Sequence, residues 1–329
     1  MAIGLTTGTS LAQALATGPL VLDGGLSNQL EAQGADLRDS LWSARLLADD
    51  PAEITRAHAA YYAAGAQVVI SSSYQASFQG FATRGIDQAR AAQLLRRSVE
   101  LAREAELSAA ADDRTTSGEA AEPGPRWVAA SIGPYGAVLA DGSEYRGRYG
   151  LSVADLEAFH APRLETLIGA RPDVLAMETI PDTDEARALL NLVRGTGAAC
   201  WLSFSTVGRK TRAGQPLAEA FALAADVDEV IAVGVNCCAP QDVLAAVEIA
   251  GSASGKPVVV YPNSGESWDA GARAWREEST FDAALVRSWI DAGARLIGGC
   301  CRVGPDAIRQ VAAAVRETPP ILRSRAPQR

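Results

Sequence analysis

The feature that most constrains the fold of this chain is a repeated alternation of short apolar segments with longer, more polar ones. The short segments are rich in β-branched residues, and eight of them occur, at 19–25, 67–74, 127–134, 174–180, 199–205, 230–238, 257–262 and 295–301. Continuous apolar runs of this kind are typical of parallel strands that are buried on both faces of a sheet. We therefore predict eight parallel strands.

The longer segments between these runs show helical periodicity. One helix is expected to begin at Asp50, because Asp50, Pro51 and Glu53 have the identities of an N-cap, a first-turn proline and a capping-box acid. Gly65 is expected to end it. The other predicted helices cover 87–108, 152–170, 182–195, 216–226, 240–252, 280–292 and 304–316. Eight strand–helix alternations favour a closed (β/α)8 TIM barrel over an open doubly wound sheet, for which no GxGxxG follows the first strand.

The 329 residues are predicted to form a single α/β domain, 1–329. Barrels of this kind commonly reach about 250 residues or more as one domain. Residues 109–126 are small, polar and low in complexity, which predicts a flexible loop on the face of the barrel away from catalysis. Residues 319–329 carry Pro and Arg and are predicted to be a frayed tail.

Composition excludes several classes of partner. With 48% hydrophobic and 21% charged residues, the chain can bury a large core. Its net charge of −9 repels phosphate backbones, so nucleic acid is not expected as a partner. A secretory signal begins with a positively charged region, whereas the first 20 residues contain no Lys or Arg. No apolar stretch reaches the roughly 18 residues of a membrane span. We expect a cytoplasmic protein that does not bind membranes.

The cysteines carry the strongest chemical signal. Of the five in the chain, four form two adjacent pairs, Cys237–Cys238 and Cys300–Cys301, and each pair closes a predicted strand. Active sites of TIM barrels form at the carboxyl ends of the strands, so both pairs are expected at the same mouth. A catalytic zinc site uses three protein ligands and keeps a fourth position open for substrate. We therefore predict that Cys237, Cys300 and Cys301 bind Zn²⁺.

The remaining cysteines and the histidines are given structural roles. Cys200 begins the fifth strand at the opposite end, and Cys238 should point away from its neighbour because successive strand residues alternate. Buried cysteine commonly acts as a small hydrophobe. His58 and His160 fall within predicted helices and are expected to be packing or surface residues.

A series of short motifs, in order along nearly the whole chain, resembles the homocysteine S-methyltransferase family. GVNCC and GGCC are similar to the zinc-binding motifs of that family. The blocks, with their positions, are DGGLSNQLE (23–31), HAAYYAAGAQVVISSSYQAS (58–77), SIGPYGA (131–137), MET (177–179), GVNCC (234–238), YPNSG (261–265) and GGCC (298–301). The resemblance implies a zinc-dependent barrel that transfers a methyl group to homocysteine and yields methionine, with Cys237, Cys300 and Cys301 as the zinc ligands.

The same resemblance assigns the substrate site. Glu178, in the MET block, matches the carboxylate that binds the homocysteine amino group, and Asp23 with Gly24 matches a substrate contact after the first strand. Asn236, beside the first cysteine pair, is assigned to substrate binding, and Tyr74 at the end of the second strand is a candidate wall of the methyl-donor pocket or a core residue.

The donor and the class of protein remain open at this level. S-methylmethionine, and possibly S-adenosylmethionine, is the favoured donor, because an anionic thiolate site attracts a cationic sulfonium. A betaine donor, or selenocysteine or another thiol as the acceptor, is an alternative. A non-catalytic zinc-thiolate barrel and a dithiol redox enzyme are two further classes, although no CxxC motif is present. The chain ends soon after the eighth predicted helix, without the extension typical of betaine-using dimers, so a monomer is expected.

Overall fold

A computed structural model describes residues 9–37, 43–117, 124–269, 274–276 and 278–318 of the chain. Its main sheet has eight strands, each parallel to its neighbours, in the order β1-β12-β9-β8-β5-β4-β3-β2. The strands of this barrel are β1 (Leu20–Val21), β2 (Val68–Ile70), β3 (Trp127–Ile132), β4 (Val174–Ile180), β5 (Cys200–Phe204), β8 (Val230–Asn236), β9 (Val258–Tyr261) and β12 (Ala294–Ile297). The first and last strands of that order meet through a parallel bridge between Leu22 and Val68, which closes the predicted barrel.

Two small antiparallel pairs lie outside the barrel sheet, β6 with β7 and β10 with β11. Their bounds are β6 (Thr206–Val207), β7 (Lys210–Thr211), β10 (Ser267–Asp269) and β11 (Ala274–Arg276). The β6–β7 pair follows β5 directly. Because β5 is parallel to its neighbours, this pair lies at the carboxyl end of the barrel, where chemistry is expected.

Helices separate consecutive barrel strands, as predicted. They are α1 (Leu11–Leu15), α2 (Leu26–Ala32), α3 (Ser43–Asp49), α4 (Pro51–Ala63), α5 (Phe78–Ala82), α6 (Gln88–Ser117), α7 (Tyr135–Leu139), α8 (Val153–Gly169), α9 (Thr183–Val193), α10 (Leu217–Ala222), α11 (Val243–Ser254), α12 (Ala283–Ala292) and α13 (Pro305–Arg316). Short 3-10 helices occupy Ser143–Tyr145 and Pro240–Asp242.

Two local predictions are wrong. The helix predicted over 87–108 continues to Ser117 as α6, so 109–117 are helical and not a loop. Alanine and charged residues favour helix, and this propensity outweighs the low complexity of the segment. Residues 124–126 have no regular structure, while 118–123 and the predicted tail, 319–329, lie outside the described residues.

The second correction concerns the start of α4. Asp50 occupies the N-cap position and Pro51 the first turn, but the Asp50 side chain makes no capping hydrogen bond. Glu53 does not complete a capping box either, because its carboxylate accepts from Gln33 and Arg56. The preceding helix, α3, ends at Asp49. The prediction was correct about where the helix begins and wrong about which contacts fix it.

The core has two layers. One fills the barrel interior, where Trp127, Trp201 and Tyr261 are buried together with aliphatic residues of the strands. Leu11 and Leu15 of α1 belong to this same cluster, so α1 covers the amino-terminal end of the barrel. The other layer lies between the strands and the surrounding helices. With one end covered, the opposite mouth is the accessible end.

Within the part of the chain that the structure describes, no helix combines the length and the apolar character needed to cross a bilayer.

Candidate metal centre and substrate pocket

Three cysteine thiols meet at the carboxyl ends of two barrel strands. Cys237 follows β8 directly, and Cys300 and Cys301 follow β12 within a few residues. The Sγ atoms of the three residues all lie within 4.8 Å of one another. Strands β8 and β12 are separated in the sheet only by β9, which explains how residues more than 60 positions apart come together. The predicted convergence of the two cysteine pairs at one mouth is therefore present.

The loop after β9 holds the backbone of all three cysteines. The amide of Cys237 donates to the Tyr261 carbonyl at 3.3 Å, and that of Cys300 to the Pro262 carbonyl at 2.7 Å. The amide of Cys301 donates to Oδ1 of Asn263 at 3.1 Å. Cys237 also has a positive φ of 47°, a conformation that costs a non-glycine residue of the order of 1 kcal/mol or more. The surrounding hydrogen bonds therefore fix the thiols in a conformation that the local sequence alone disfavours.

The thiols are coupled electrostatically. Hydrogen bonds with Cys237 and Cys300 lower the pKa of Cys301 well below its usual range, and a hydrogen bond with the Tyr145 hydroxyl acts in the same direction. Hydrogen bonding to Cys237 and Cys301 raises the pKa of Cys300. Without a cation, the cluster therefore favours one thiolate over three, because adjacent negative charges repel. A bound cation would remove that penalty.

This donor set fits a zinc ion. Sulfur atoms that each lie about 2.3 Å from a tetrahedral zinc are about 3.8 Å from one another, which the observed separations accommodate. Thiolate ligands are soft and favour Zn²⁺, Cu⁺ and iron–sulfur clusters over Mg²⁺ or Ca²⁺. Three protein ligands are also the number that leaves a fourth position for substrate.

The other two cysteines lie elsewhere. Cys200 at the start of β5 is fully buried, and burial raises the pKa of its thiol far above the usual range. Cys238 is buried among apolar residues between strands and helices, and burial raises the pKa of its thiol to about 12. Both thiols are thus neutral at physiological pH. This matches the structural roles predicted for them.

A deformed strand end presents Glu178 to the interior of the mouth. The register between β4 and β5 shifts between Met177 and Ile180, and Thr179 has a positive φ of 59°. Shifts of this kind re-aim side chains next to active sites. Burial raises the pKa of Glu178 from 4.5 to about 7, although its hydrogen bonds with Ser131 and Tyr261 act in the opposite direction. Glu178 is therefore poised between its two protonation states.

Asp23 lies after β1 and is 1% exposed. Its Oδ2 accepts a hydrogen bond from the amide of Ile70 at 2.8 Å, whereas its Oδ1 is buried without a partner. Burial raises the pKa of Asp23 well above its usual range, and the charge of Glu178 raises it further. Two neighbouring buried carboxyl groups, one with an oxygen that lacks a partner, are suited to binding a cation.

Gly24 is required by close packing. A Cβ atom at this position would lie 2.1 Å from the carbonyl oxygen of Val303 and 2.8 Å from the ring of Tyr61. The hydroxyl of Tyr61 in turn donates to the carbonyl of Gly25 at 2.9 Å. Glycine is therefore needed at position 24 because the loops after β1 and β12 approach each other too closely for a side chain. Any contact of Gly24 with substrate remains a prediction.

Asn236 is the last residue of β8 and is fully buried. Its Oδ1 accepts from the Thr179 amide at 2.7 Å and from the Ser203 hydroxyl at 2.8 Å, and its Nδ2 donates to Oγ1 of Thr179 at 2.7 Å. The side-chain oxygen is therefore engaged inside the barrel. The structure connects Asn236 to the strand end that carries Glu178.

Tyr74, the candidate donor-pocket residue, packs its ring on the loop after β3. A Cβ atom on Gly133 would lie 2.7 Å from this ring. Burial raises the pKa of the Tyr74 hydroxyl, and negative charge at Cys237 raises it further, which places the residue beside the thiol cluster. Its role toward a donor stays a prediction.

Three residues that contact this site were not singled out from the sequence, although two of them, Ser131 and Tyr261, begin the motif blocks SIGPYGA and YPNSG. Ser131 and Tyr261 hold Glu178, and Tyr145 contacts Cys301. Ser131 and Tyr261 lie on predicted strands, but alternation alone does not show which strand residues face the mouth. Tyr145 lies in a glycine-rich stretch after β3, and its place in a loop at the catalytic end of a barrel was an available signal.

Comparison with known proteins agrees with this geometry. Residues 20–315 match the family model described as homocysteine S-methyltransferase. The chain is 46% identical to homocysteine S-methyltransferase 4 of Zea mays over 92% of this chain and 91% of that protein. It is 45% identical to homocysteine S-methyltransferase of Escherichia coli over 87% and 92% of the two chains. The crystal structure of the E. coli homocysteine methyltransferase MmuM in its metallated form superimposes with a TM-score of 0.78 at 43% identity, covering 90% of this chain and 96% of that one. The chain therefore belongs to the homocysteine S-methyltransferase family.

Proposed function

We propose that this protein transfers a methyl group from a methylsulfonium donor, S-methylmethionine, to homocysteine, with Zn²⁺ bound by Cys237, Cys300 and Cys301. The observation that carries the proposal is the convergence of three thiols beside a pocket that contains two buried carboxyl groups. Membership in the family supports the acceptor, and the metallated form of the E. coli relative supports a metal.

Zinc, when bound, would act as a Lewis acid that keeps the homocysteine thiol deprotonated near neutral pH. The chain supplies the surroundings of that thiol. The three cysteines make the site anionic, and Tyr145 stabilises the charge on Cys301 by a hydrogen bond. An anionic site attracts a cationic donor.

Glu178 and Asp23 are suited to hold the ammonium group of homocysteine. The ionised carboxylate of Glu178 is kept in place by Ser131 and Tyr261, and Asp23 offers an unpartnered buried oxygen. Burial raises the pKa of both groups, and the charge of Glu178 raises that of Asp23 further, so an ammonium group between them would favour the ionised form of each. Binding this end of homocysteine directs the thiol toward the cysteines and lowers the entropic cost of reaction.

The chemical step is a displacement at carbon. The homocysteine sulfur, after losing its proton to solvent, forms a bond to the donor methyl group. The bond from that methyl group to the donor sulfur breaks, and its electron pair remains on the donor sulfur as a neutral thioether. With S-methylmethionine as the donor, both products are methionine and no other co-reactant is needed.

The test is methionine formation by the zinc-loaded, reduced protein given homocysteine and S-methylmethionine that carries ¹³C in its methyl groups. We expect labelled methionine only when both substrates are present. Labelled product from betaine and none from S-methylmethionine would contradict the donor assignment. Bound zinc with no product from either donor would contradict the enzymatic proposal, and activity that survives complete zinc chelation would favour the dithiol alternative.

Cysteine variants separate the metal ligands from the structural cysteines. Cys301→Ala is expected to lose zinc and activity together, because two thiols leave the metal with too few ligands. Cys238→Ala is the matched control, since it removes a buried thiol next to Cys237 that points into the apolar layer. Zinc content by mass spectrometry and methionine yield should be near wild type in the control.

We also propose that the protein acts in the cytoplasm as a monomer on small molecules. All five cysteines are free, and a zinc-thiolate site needs a reducing compartment. The net charge of −9 does not favour nucleic acid. Light scattering on a size-exclusion column is expected to give the mass of one chain, and the mass of two would contradict the monomer.

A further inference from the structure

Arg212 is a cation beside the metal centre that forms no salt bridge with any residue in the described part of the chain. It follows β7, and its amide donates to the Ser205 carbonyl at 3.1 Å, which holds it at the mouth of the barrel. Its guanidinium carbon lies 5.3 Å from the ring centroid of Tyr145, the residue whose hydroxyl contacts Cys301. Its Nε is buried without a hydrogen-bond partner. A guanidinium group favours carboxylates as ligands, so its unsatisfied Nε is suited to the carboxylate of a bound molecule.

Glu144, adjacent to Tyr145 on the 3-10 helix Ser143–Tyr145, is the complementary observation. Its side chain is 8% exposed, and its Oε2 is buried without a hydrogen-bond partner. Burial raises the pKa of Glu144, and the charges of Asp141 and Cys301 raise it further, so the carboxyl group lies within electrostatic reach of the thiol cluster. A buried carboxylate oxygen without a donor costs free energy unless a ligand supplies one.

We propose that Arg212 and Glu144 recognise the amino-acid part of the methyl donor, with Arg212 binding its carboxylate and Glu144 binding its ammonium group. Both residues adjoin Tyr145. The guanidinium group of Arg212 packs over the Tyr145 ring, and the Tyr145 hydroxyl contacts Cys301. Besides burial, the charges of Glu144 and Glu178 both raise the pKa of the Tyr74 hydroxyl, so the proposed donor site adjoins the proposed homocysteine site. This inference rests on the proposed function, because it assumes that an amino-acid sulfonium is the donor.

The test compares donors that lack one group each. Wild type, Arg212→Met and Glu144→Gln are assayed with S-methylmethionine, with its carboxamide, and with its deamino analogue, 4-dimethylsulfoniobutanoate. Arg212→Met is expected to raise the KM for S-methylmethionine roughly 10- to 100-fold, the size of a lost charged hydrogen bond, and to leave the KM for the carboxamide unchanged. Glu144→Gln is expected to raise the KM for S-methylmethionine and to leave that for the deamino analogue unchanged.

Arg209→Met is the matched control. Arg209 is exposed in the turn that joins β6 to β7, so Arg209→Met removes the same charge from the same part of the chain as Arg212→Met does. The KM values of Arg209→Met for all three donors should equal those of wild type. Zinc content and thermal melting of each variant show whether it folds, and Arg212→Lys, which keeps the charge, is expected to recover part of the affinity.

Calorimetric titration of S-methylmethionine into each zinc-loaded protein separates this inference from the proposed function. Weaker binding to Arg212→Met than to Arg209→Met supports the inference even if wild type forms no methionine. Equal binding and equal donor KM in these two variants would overturn it while leaving the methyltransferase intact. A rise confined to the homocysteine KM in Arg212→Met would assign the carboxylate to the acceptor and also overturn it.

Discussion

Asn236 and Thr179 are joined by two hydrogen bonds that connect the end of β8 to the end of β4. The Thr179 amide donates to Oδ1 of Asn236 at 2.7 Å, and Nδ2 of Asn236 donates to Oγ1 of Thr179 at 2.7 Å. Asn236 precedes Cys237, and Thr179 follows Glu178. The positive φ of Thr179, costly for a β-branched residue, is held by this pair. This contact therefore couples the position of Cys237 to that of Glu178.

Asn236→Ala is expected to lower the free energy of unfolding by about 3 kcal/mol, because buried partners lose their hydrogen bonds. It should also raise the homocysteine KM at least tenfold, since Glu178 loses its fixed orientation. The measurements are urea unfolding and steady-state kinetics. Asn191→Ala is the control: Asn191 is exposed and its side chain donates to Glu157 at 2.6 Å on the surface, so both quantities should stay near wild type. An unchanged KM in Asn236→Ala would show that Asn236 does not position Glu178.

The raised pKa of Glu178, about 7, predicts a pH dependence of substrate binding. The ionised form binds an ammonium group, so the homocysteine KM should fall as pH rises through about 7 and then level off. In Glu178→Gln the homocysteine KM should be higher, and it should lack the inflection near pH 7. A wild-type profile with no inflection near pH 7 would contradict the assignment.

The same shift has an opposite effect on stability. Because the folded-state pKa of Glu178 lies above its unfolded value, the neutral form favours folding at low pH, and this advantage is lost as pH rises from about 4.5 through about 7. Glu178→Gln should therefore become more stable relative to wild type over this interval, by on the order of 3 kcal/mol. Urea unfolding of both metal-free, reduced proteins at pH 5 and pH 8 measures the difference.

The sequence was sufficient to predict the barrel and the thiol cluster because both depend on strand order. Each apolar run overlaps one observed strand, and parallel strands bring their carboxyl ends to one mouth whatever the intervening loops do. Cys237 and Cys301 could thus be placed together from their positions alone.

The loop residues could not be predicted in the same way. Tyr145, Glu144 and Arg212 lie outside the barrel strands, and they come close to the thiol cluster only once the barrel has folded. No periodic pattern shows such contacts. The positive φ of Thr179 is also invisible in a strand-like sequence, since tertiary contacts impose it against local preference.

His58 provides a prediction about acid stability. Its ring is fully buried in α4, neither ring nitrogen has a hydrogen-bond partner, and burial lowers its pKa from 6.5 to about 4. Because the folded-state value lies below the unfolded one, the neutral ring contributes stability above pH 6.5 that is lost as pH falls through about 4. Between pH 7 and pH 4, wild type should lose about 3 kcal/mol more than His58→Leu in urea unfolding. Equal losses would mean that His58 is accessible to protons in the folded state.

A buried ionic network forms hydrogen bonds with the backbone of the loop after β3. Nε2 of His160 lies 2.8 Å from Oε1 of Glu185, and its Nδ1 lies 2.9 Å from Nη2 of Arg163. Nη2 of Arg163 also donates to the Gly133 carbonyl at 2.5 Å, and Oε1 of Glu185 accepts from the Tyr135 amide at 2.5 Å. Burial lowers the pKa of Arg163 to about 10, but the group stays charged at neutral pH. Each buried charge therefore depends on the other.

This dependence predicts strong non-additivity between Arg163→Met and Glu185→Gln. Each single change leaves one buried charge without compensation and should cost about 3–5 kcal/mol of unfolding free energy. The double variant should cost less than the two singles together by at least 1 kcal/mol, because no uncompensated charge remains. The control is the same cycle on Arg97 and Glu104, an exposed pair on α6, where coupling should be under about 1 kcal/mol. Additive costs at Arg163 and Glu185 would show that the two charges do not stabilise each other.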